Sequence, residues 1–507
     1  MSLPTGWQLV ELGELGKWAT GGTPSRSVPE YFGGGIPWVK TGDLDDGPVV
    51  TIEETISELG LKNSNAKLFP PGTLLVALYG ATIGKLGILV SAAACNQACA
   101  ALLPGSTALV VEYLFWYLRS RREDLRAAGQ GGAQPNISQG LLKAYKCPLP
   151  PVNEQRRIVA RIEELQGRSR AARESLEAIP PLLERFRQSV LAAAFRGDLT
   201  ADWRRANPDV EPASVLLERI RVERRRRWEE AELERLRAKG REPKDDKWRT
   251  KYREPEPVDT TGLRKLPEGW AWIHVAEVAD VVDPHPSHRT PPVVSGGVPY
   301  VGMGDFRSDG TLDLEGARKV SPNKLRSHRE RYRLQSGDFI FGKIGTLGTP
   351  IELPQPFDYC VSANVILLQP VSEVNSRWLL HYLDSPYIGR ILADLSRATA
   401  QPAFGITKMR QLAVPIPSRA EQDFAVRLID SHLERSLVEG DALKVAAISL
   451  ERLDQSILVK AHRGELVPQD PDDESASALL ERIRGEDQQV PTKPRRNSFS
   501  KRGTLKH

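Results

Sequence analysis

"LPTGWQLVELGELG" occupies residues 3–16, and "LPEGWAWIHVAEVA" at residues 266–279 repeats its frame. The two stretches share Leu-Pro-x-Gly-Trp and then diverge, so their flanks decide whether they are copies. "GGIPWVKTGDL" (34–44) returns as "GGVPYVGMGDF" (296–306), and "QPNIS" at 134 faces "QPAFG" at 401. "PLPPVNEQ" at 148 faces "PIPSRAEQ" at 415, and "QSVLAAAFRGDL" at 188 faces "QSILVKAHRGEL" at 455. "PASVLLERIR" at 212 closes the series with "SASALLERIR" at 475. The separations stay between 262 and 267 residues along nearly the whole chain. The chain is an internal duplication, and each copy must be one structural unit.

Each copy has the same order. Short β-type runs broken by Gly and Pro come first: "IPWVKTGDL", "GTLLVALYG" and "LGILV" in the first copy. The segment "VVEYLFWYLRS" then predicts a helix, giving a mixed α/β globule. From Asn153 the period changes. Ile158, Ile162, Leu165, Ser169, Ala172, Leu176, Ile179, Leu183, Phe186 and Val190 recur at alternating four- and three-residue steps, a heptad stripe that calls for a partner helix. The second copy carries a looser stripe through Val426, Ile429, Leu433 and Leu437, then Leu443 to Ile457. Pro180–Pro181 predicts a break in the first stripe. The expected layout is a globule at 1–150, a helical region at 151–262, a second globule at 263–417, and a helical region with a basic tail at 418–507.

Composition narrows the function classes. The 507 residues are 40% apolar and 27% charged, ordinary for soluble globular chains, with a net charge of +5. The apolar stretch 73–90 is interrupted by glycines and Lys85, a poor membrane span. "MSLPTGW" lacks the regions of a signal peptide, so the expected compartment is cytoplasmic. Cys95, Cys99, Cys147 and Cys360 form no C-x-x-C pair and read as buried thiols, while His285 and His288 lack the spacing of a zinc site. Residues 219–253 hold 15 Lys/Arg against 8 Asp/Glu, yet the run Arg224 to Arg227 reads first as a solvated helix face.

"YGATIGKLG" (79–87) resembles a phosphate-binding loop, but Gly80 and Gly84 are one residue too close and Leu86 replaces the metal-binding hydroxyl. The second copy, "GDFIFGKIGTLGTP" (337–350), lacks a lysine at the place of Lys85. A glycine-rich turn between strands is the better reading. G-x-S-x-G, H-E-x-x-H, kinase and amino-methyltransferase signatures are also missing. Two copies of a globule without catalytic groups, joined by helices, point to a two-headed binder.

Candidate contact residues lie in loops. In the first copy they are Thr20, Thr23, Ser25, Arg26, Lys40, Thr41, Tyr79, Thr82, Lys85, Gln134 and Asn136; in the second, Arg289, Thr290, Arg307, Lys343, Thr346, Gln401 and Phe404. Arg, Lys, Asn and Gln can read base edges in DNA, while Ser and Thr grip phosphates. Solvated loop residues are the plain alternative.

The paired "LPxGW" segments, the "GATIGK" turn, the "PLPPVNEQRRI" and "PIPSRAEQ" helix starts, and "AAAFRGDL" with "KAHRGEL" resemble the specificity subunits of type I restriction–modification systems, nearly end to end. The resemblance implies an α+β fold: two mixed α/β target recognition domains in pseudo-twofold repeat, separated by long antiparallel coiled-coil helices. It implies that each domain reads half of a split double-stranded DNA target and that the helices dock two modification subunits. The chain itself would hold no catalytic residue, metal or cofactor. S-adenosylmethionine for adenine methylation would belong to the modification partner, and ATP and Mg2+ to restriction subunits. A coiled-coil scaffold whose globules bind protein is the alternative.

Overall fold

The chain is described at residues 3–103, 109–129, 136–240, 243, 245–285, 290–307, 310–398 and 402–488 of a computed structural model. It divides into two compact units, Met1–Glu177 with Lys444–His507, and Ala178–Leu443. Each unit boundary falls inside a helical region rather than at a junction between a globule and its helices.

In the first unit a five-stranded sheet runs in the order Trp18–Thr20, Cys99–Leu102, Leu74–Ala77, Leu86–Leu89, Gly47–Val49. Leu74–Ala77 and Cys99–Leu102 are buried at every position, which is why they read as unbroken apolar runs rather than alternating ones. A second sheet orders Thr55–Ile56, Phe32–Val39, Ala93–Cys95 and Leu68–Phe69, with Phe32–Val39 parallel to Ala93–Cys95. The helix expected at "VVEYLFWYLRS" is Val111–Ser120, and it buries Tyr113 through Leu118.

The second unit repeats the plan. One sheet orders Ala279–Val282, Val365–Pro370, Phe339–Gly342 and Gly348–Glu352; another orders Lys319–Val320, Val298–Val301 and Cys360–Val361. Val298–Val301 runs parallel to Cys360–Val361, with Val301 opposite Val361 as Val39 stands opposite Cys95. The mixed α/β globule read from the sequence is built twice.

The repeated Leu-Pro-x-Gly-Trp segment is where each unit is tied together. In the first unit the Trp7 indole N–H donates to Glu154 Oε2 at 2.9 Å, and in the second Trp270 donates to Glu421 Oε2 at 3.0 Å. The carbonyls of Gly6 and Gly269 accept the amides of Ala476 and Ala213, 2.9 and 2.8 Å, at the starts of the helices Ala476–Gln488 and Ala213–Ala238. The "RG" turns end the helices Ile179–Arg196 and Arg419–Ala461. Asp198 N reaches Ala193 O at 2.9 Å and Glu465 N reaches Lys460 O at 2.9 Å, closing both C-termini through a left-handed glycine. A Cβ on Gly197 would lie 2.5 Å from Pro267, and one on Gly464 2.5 Å from Pro4, so only glycine lets the turn sit on the motif's proline.

The residue before each "RG" then plugs the globule. Phe195 packs on Trp378 and Tyr382, with ring centroids 4.6 and 5.2 Å away; His462 packs on Tyr113 and Tyr117 at 5.4 and 5.1 Å. These rings are fixed by hydrogen bonds to the same strand in each copy. Tyr113 and Trp378 donate to the carbonyls of Pro148 and Pro415, and Tyr117 and Tyr382 to those of Lys146 and Ala413.

The expected break at Pro180–Pro181 is one residue wide. Val152–Glu177 ends, Ala178 keeps α-type angles, and Ile179–Arg196 begins with both prolines in its first turn, where a missing N–H leaves no bond unmade. Contacts in each unit run antiparallel. In the first, Arg173 meets Asp454 at 3.0 Å and Arg157 meets Asp473 at 2.7 Å; in the second, Phe186 lies against His432 and Arg204 meets Glu421. The stripe is buried beside the globules, at Ile158, Ile162, Val190, Val426, Ile429 and Ile457, but Phe186 is 45% and Leu437 71% exposed. The run Arg224 to Arg227 is spent on intramolecular partners, Asp280, Glu223, Glu229 and Glu230 among them. The four cysteines are free and buried, and no metal-holding group occurs among the described residues. No described helix is long and apolar enough to cross a membrane.

His462 carries a pH consequence. Burial holds its pKa down at about 4, with Arg121 pushing the same way against the Leu458 carbonyl. A folded pKa below the unfolded value near 6.5 means stability that is full above about pH 6.5 and lost as pH falls toward 4. His462→Phe, which installs the ring found at Phe195, is expected to raise the melting temperature at pH 5 more than at pH 7.5. Melting curves followed by circular dichroism at both pH values check this.

Candidate nucleic-acid interface

The glycine-rich stretch of the first unit is a hairpin turn. Leu74–Ala77 enters it and Leu86–Leu89 leaves it as the antiparallel neighbour, so no helix N-terminus follows to cradle a phosphate. Gly80 and Gly84 take φ of 66° and 76°, the left-handed region the turn demands. The second unit turns likewise at Gly345 and Gly348, with φ of 80° and 79°. Both turns are held from the side by the "QPNIS"/"QPAFG" segment: Ile137 N donates to Leu78 O, and Phe404 N to Lys343 O, each 2.9 Å.

A second turn gathers the other loops. Asn96 N donates to Val39 O at 2.9 Å, Leu78 N to Ala98 O at 2.8 Å, and Gly22 N to Cys95 O at 2.9 Å. The loops after Thr20, Val39 and Ala77 therefore emerge at one edge of the globule, around residues 96–98. The second unit repeats two of these bonds, Ser362 N to Val301 O at 2.7 Å and Lys343 N to Asn364 O at 2.9 Å.

In the first unit the predicted contact residues that are described lie on this edge or next to it. Thr20 and Thr23 line an open polar cleft of about 620 Å³ with Ser64, Asn65, Lys67 and Gln97. Arg26 stacks over Phe32 (4.4 Å) and Trp38 (5.4 Å) and forks onto Glu54, whose carboxylate also lies 3.3 Å from the Lys40 ammonium. The Arg26 hydrogen bond holds the Glu54 pKa below the usual range, so one carboxylate offsets part of two cations. Ser25 bonds Ser27, Thr82 caps the Tyr79 carbonyl, and Lys85 lies 3.9 Å from Asp45. Tyr79 is 42% exposed and bridges Asn136, placing an aromatic face and an amide side by side. Thr41 opens the short 3-10 turn after Lys40.

The second unit agrees less well. Thr290 and Thr346 are exposed, and Arg307 is exposed in a loop where it bonds Asp313 at 3.2 Å. Lys343 and Phe404 are corrections. Lys343 is only 8% exposed, with its ammonium 3.4 Å from Asp283, and Phe404 is 1% exposed against Phe341. Lys343 holds the place of Leu78 and Phe404 that of Ile137, which are inward positions in both copies. The turn begins one residue later than its spelling implies. Gln134, Arg289 and Gln401 lie outside the described residues.

Two features escaped the sequence reading. Asn96–Gln97 is a polar pair between apolar strands, a turn signal whose place at the edge depends on long-range pairing. The helix Pro322–Arg331 carries Lys324, Arg326, Arg329 and Arg331, and Arg331 donates to the carbonyls of Asp283 and Pro284. That docks a basic helix beside the loop after Val282, where cations can meet phosphates.

Phe404→Ala is expected to destabilise the second unit by about 3–5 kcal/mol, as a buried aromatic does, whereas Thr346→Ala stays within about 0.5 kcal/mol. Denaturant unfolding monitored by tryptophan fluorescence separates the two.

The type I restriction modification DNA specificity domain model matches residues 4–179 and 267–440. The chain is 25% identical over 495 residues to the type I restriction enzyme EcoDI specificity subunit of Escherichia coli, covering 96% of each chain. It is 33% identical over 171 residues to the EcoR124I/EcoR124II specificity subunit of Escherichia coli, covering 32% of this chain and 42% of that protein. Its fold is similar to that of a chain solved in work on the complex assembly and conformational transition of the type I R-M system. That match has a TM-score of 0.63 and 20% identity, over 92% of this chain and all of the other. The HsdS subunit from Thermoanaerobacter tengcongensis matches with a TM-score of 0.54 and 21% identity, over 92% of this chain and 98% of that one. Two family matches lie on the two repeated globules, and the chain belongs to the type I restriction–modification DNA specificity family.

Proposed function

We propose that this chain is the address-reading component of a type I restriction–modification complex, each globule reading one half of a split double-stranded DNA sequence. One observation carries this reading: the same loop-bearing edge is built twice on matching backbone bonds and furnished with different side chains. The first edge presents Tyr79, Asn136, Thr23 and Gln97, and the second presents Thr346 and Arg307 beside a basic helix. A scaffold that is constant while its edge chemistry varies suits two readers of different half-sites, because base edges are distinguished by donor and acceptor placement. The compartment proposed is the cytoplasm, where the DNA is.

The helical regions serve assembly in this proposal, pairing as an antiparallel coiled coil with pseudo-twofold symmetry and spacing the two readers. The long helix Arg419–Ala461 exposes Leu437, Val438, Val445, Ile448 and Leu453, apolar surface suited to protein partners. Two modification subunits would dock here and bring S-adenosylmethionine for adenine methylation, while restriction subunits would bring ATP and Mg2+. The chain's own part is recognition without chemistry.

Replacing residues 1–150 by the equivalent globule of a relative is expected to change only one half of the methylated motif, read by mapping methylated adenines in cells that also express the modification subunit. Loss or change of both halves in a folded replacement would sink the two-reader proposal. Native mass measurement of the assembled methyltransferase is expected to give two modification subunits per copy of this chain. A stable species with one would contradict the symmetric assembly.

A further inference from the structure

The turn at residues 96–98 stands at the centre of the first unit's reading edge, and its tip is Gln97. Gly21 brings the loop after Thr20 against this turn, and Gly22 brings it against residues 65–66. A Cβ on Gly21 would lie 2.1 Å from the Cys95 carbonyl oxygen, and one on Gly22 2.3 Å from the Ala66 amide nitrogen. This close approach sets the Thr23 hydroxyl to donate to Gln97 Oε1. The bond fixes the amide's orientation, leaving a second lone pair on Oε1 and the two hydrogens of Nε2 for another partner. Gln97 is exposed at the rim, and Asn65 and Lys67 share the open cleft beside it.

We propose that Gln97, oriented by Thr23, is a specificity-determining residue of the first reader and takes the major-groove edge of an adenine. The proposal rests on the reading of the globules as DNA readers. Adenine presents its N6 amino donor beside the N7 acceptor, the complement of a glutamine amide that offers Oε1 and Nε2 side by side. Lys67 lies in the same cleft, where an ammonium can meet a neighbouring phosphate without adding sequence information. In the second unit Ala363 holds the place of Gln97, so its half-site has no counterpart of this contact.

The test maps methylated motifs in cells carrying this full-length chain with its modification subunit. Gln97→Ala is expected to relax one adenine position of one half-site by roughly ten- to a hundredfold in preference, leaving the other half unchanged. Gln97→Glu is expected to move that position toward cytosine, because a carboxylate accepts from the cytosine amino group. Thr23→Val should weaken the same position, since it frees the amide to rotate. A glutamine serving only to brace the loop would lower activity evenly and leave the base preference of Gln97→Glu unaltered, which overturns the proposal. So does an unchanged motif in Gln97→Ala when the parent chain gives a bipartite motif. A parent chain giving no bipartite motif instead overturns the DNA-reading function itself.

Discussion

The buried indole–carboxylate bond of the Leu-Pro-x-Gly-Trp motif is the contact around which each unit is arranged. Trp7 with Glu154 and Trp270 with Glu421 tie the start of each globule to the start of the helix that follows it. A buried carboxylate is costly to the extent that its oxygens are left unsatisfied, and the two copies differ in how far they satisfy them. Glu421 also takes Thr200 Oγ1 at 2.6 Å and Arg204 at 2.5 Å. Glu154 Oε1 has no hydrogen-bond partner, and burial raises that carboxyl's pKa. The second unit's carboxylate is therefore the better satisfied, and Val467 stands in the first unit where Thr200 stands in the second. Removing the indole would leave a buried carboxylate oxygen unsatisfied at a cost of about 1–3 kcal/mol, so these positions leave little room for change.

The glutamine after each of these glutamates extends the same logic. Gln155 accepts from Val110 N and donates to the Pro150 carbonyl; Gln422 accepts from Asn375 N and donates to that of Pro417. Each amide thus joins the start of one helix to the start of another. What the copies share is bonding rather than residue type. Tyr113 and Trp378 differ in chemistry yet serve the same carbonyl, and His462 and Phe195 fill the same aromatic recess. The edge loops lie beyond these ties. They can carry Gln97 in one copy and Ala363 in the other without disturbing the interior, which is the freedom a pair of readers with separate targets requires.

Charge on the reading edges is tempered rather than maximal. Arg26 and Lys40 share Glu54, Lys85 faces Asp45, and Arg307 faces Asp313. Such exposed pairs add little stability. In the proposed interface they hold long side chains in place while leaving positive charge for phosphates, and a net charge of +5 fits recognition that does not depend on a polycationic surface.

The sequence by itself determined the duplication, the order of strands and helices in each copy, the rejection of the phosphate loop, the proline break and the family. All of these are carried by local spelling: period, glycine and proline placement, and repeated motifs at a fixed separation. Tertiary structure alone decided which helix completes which globule. Phe195, encoded after the first globule, plugs the second, and His462 near the other end plugs the first. It also decided that Lys343 and Phe404 point inward and that Gln97 stands exposed on the turn at residues 96–98. Periodicity reveals that a residue has an apolar or turn-forming neighbourhood, but burial is non-directional and does not name the partner. Strand pairing between segments distant in sequence supplies that partner, and with it the line between a core residue and a contact residue.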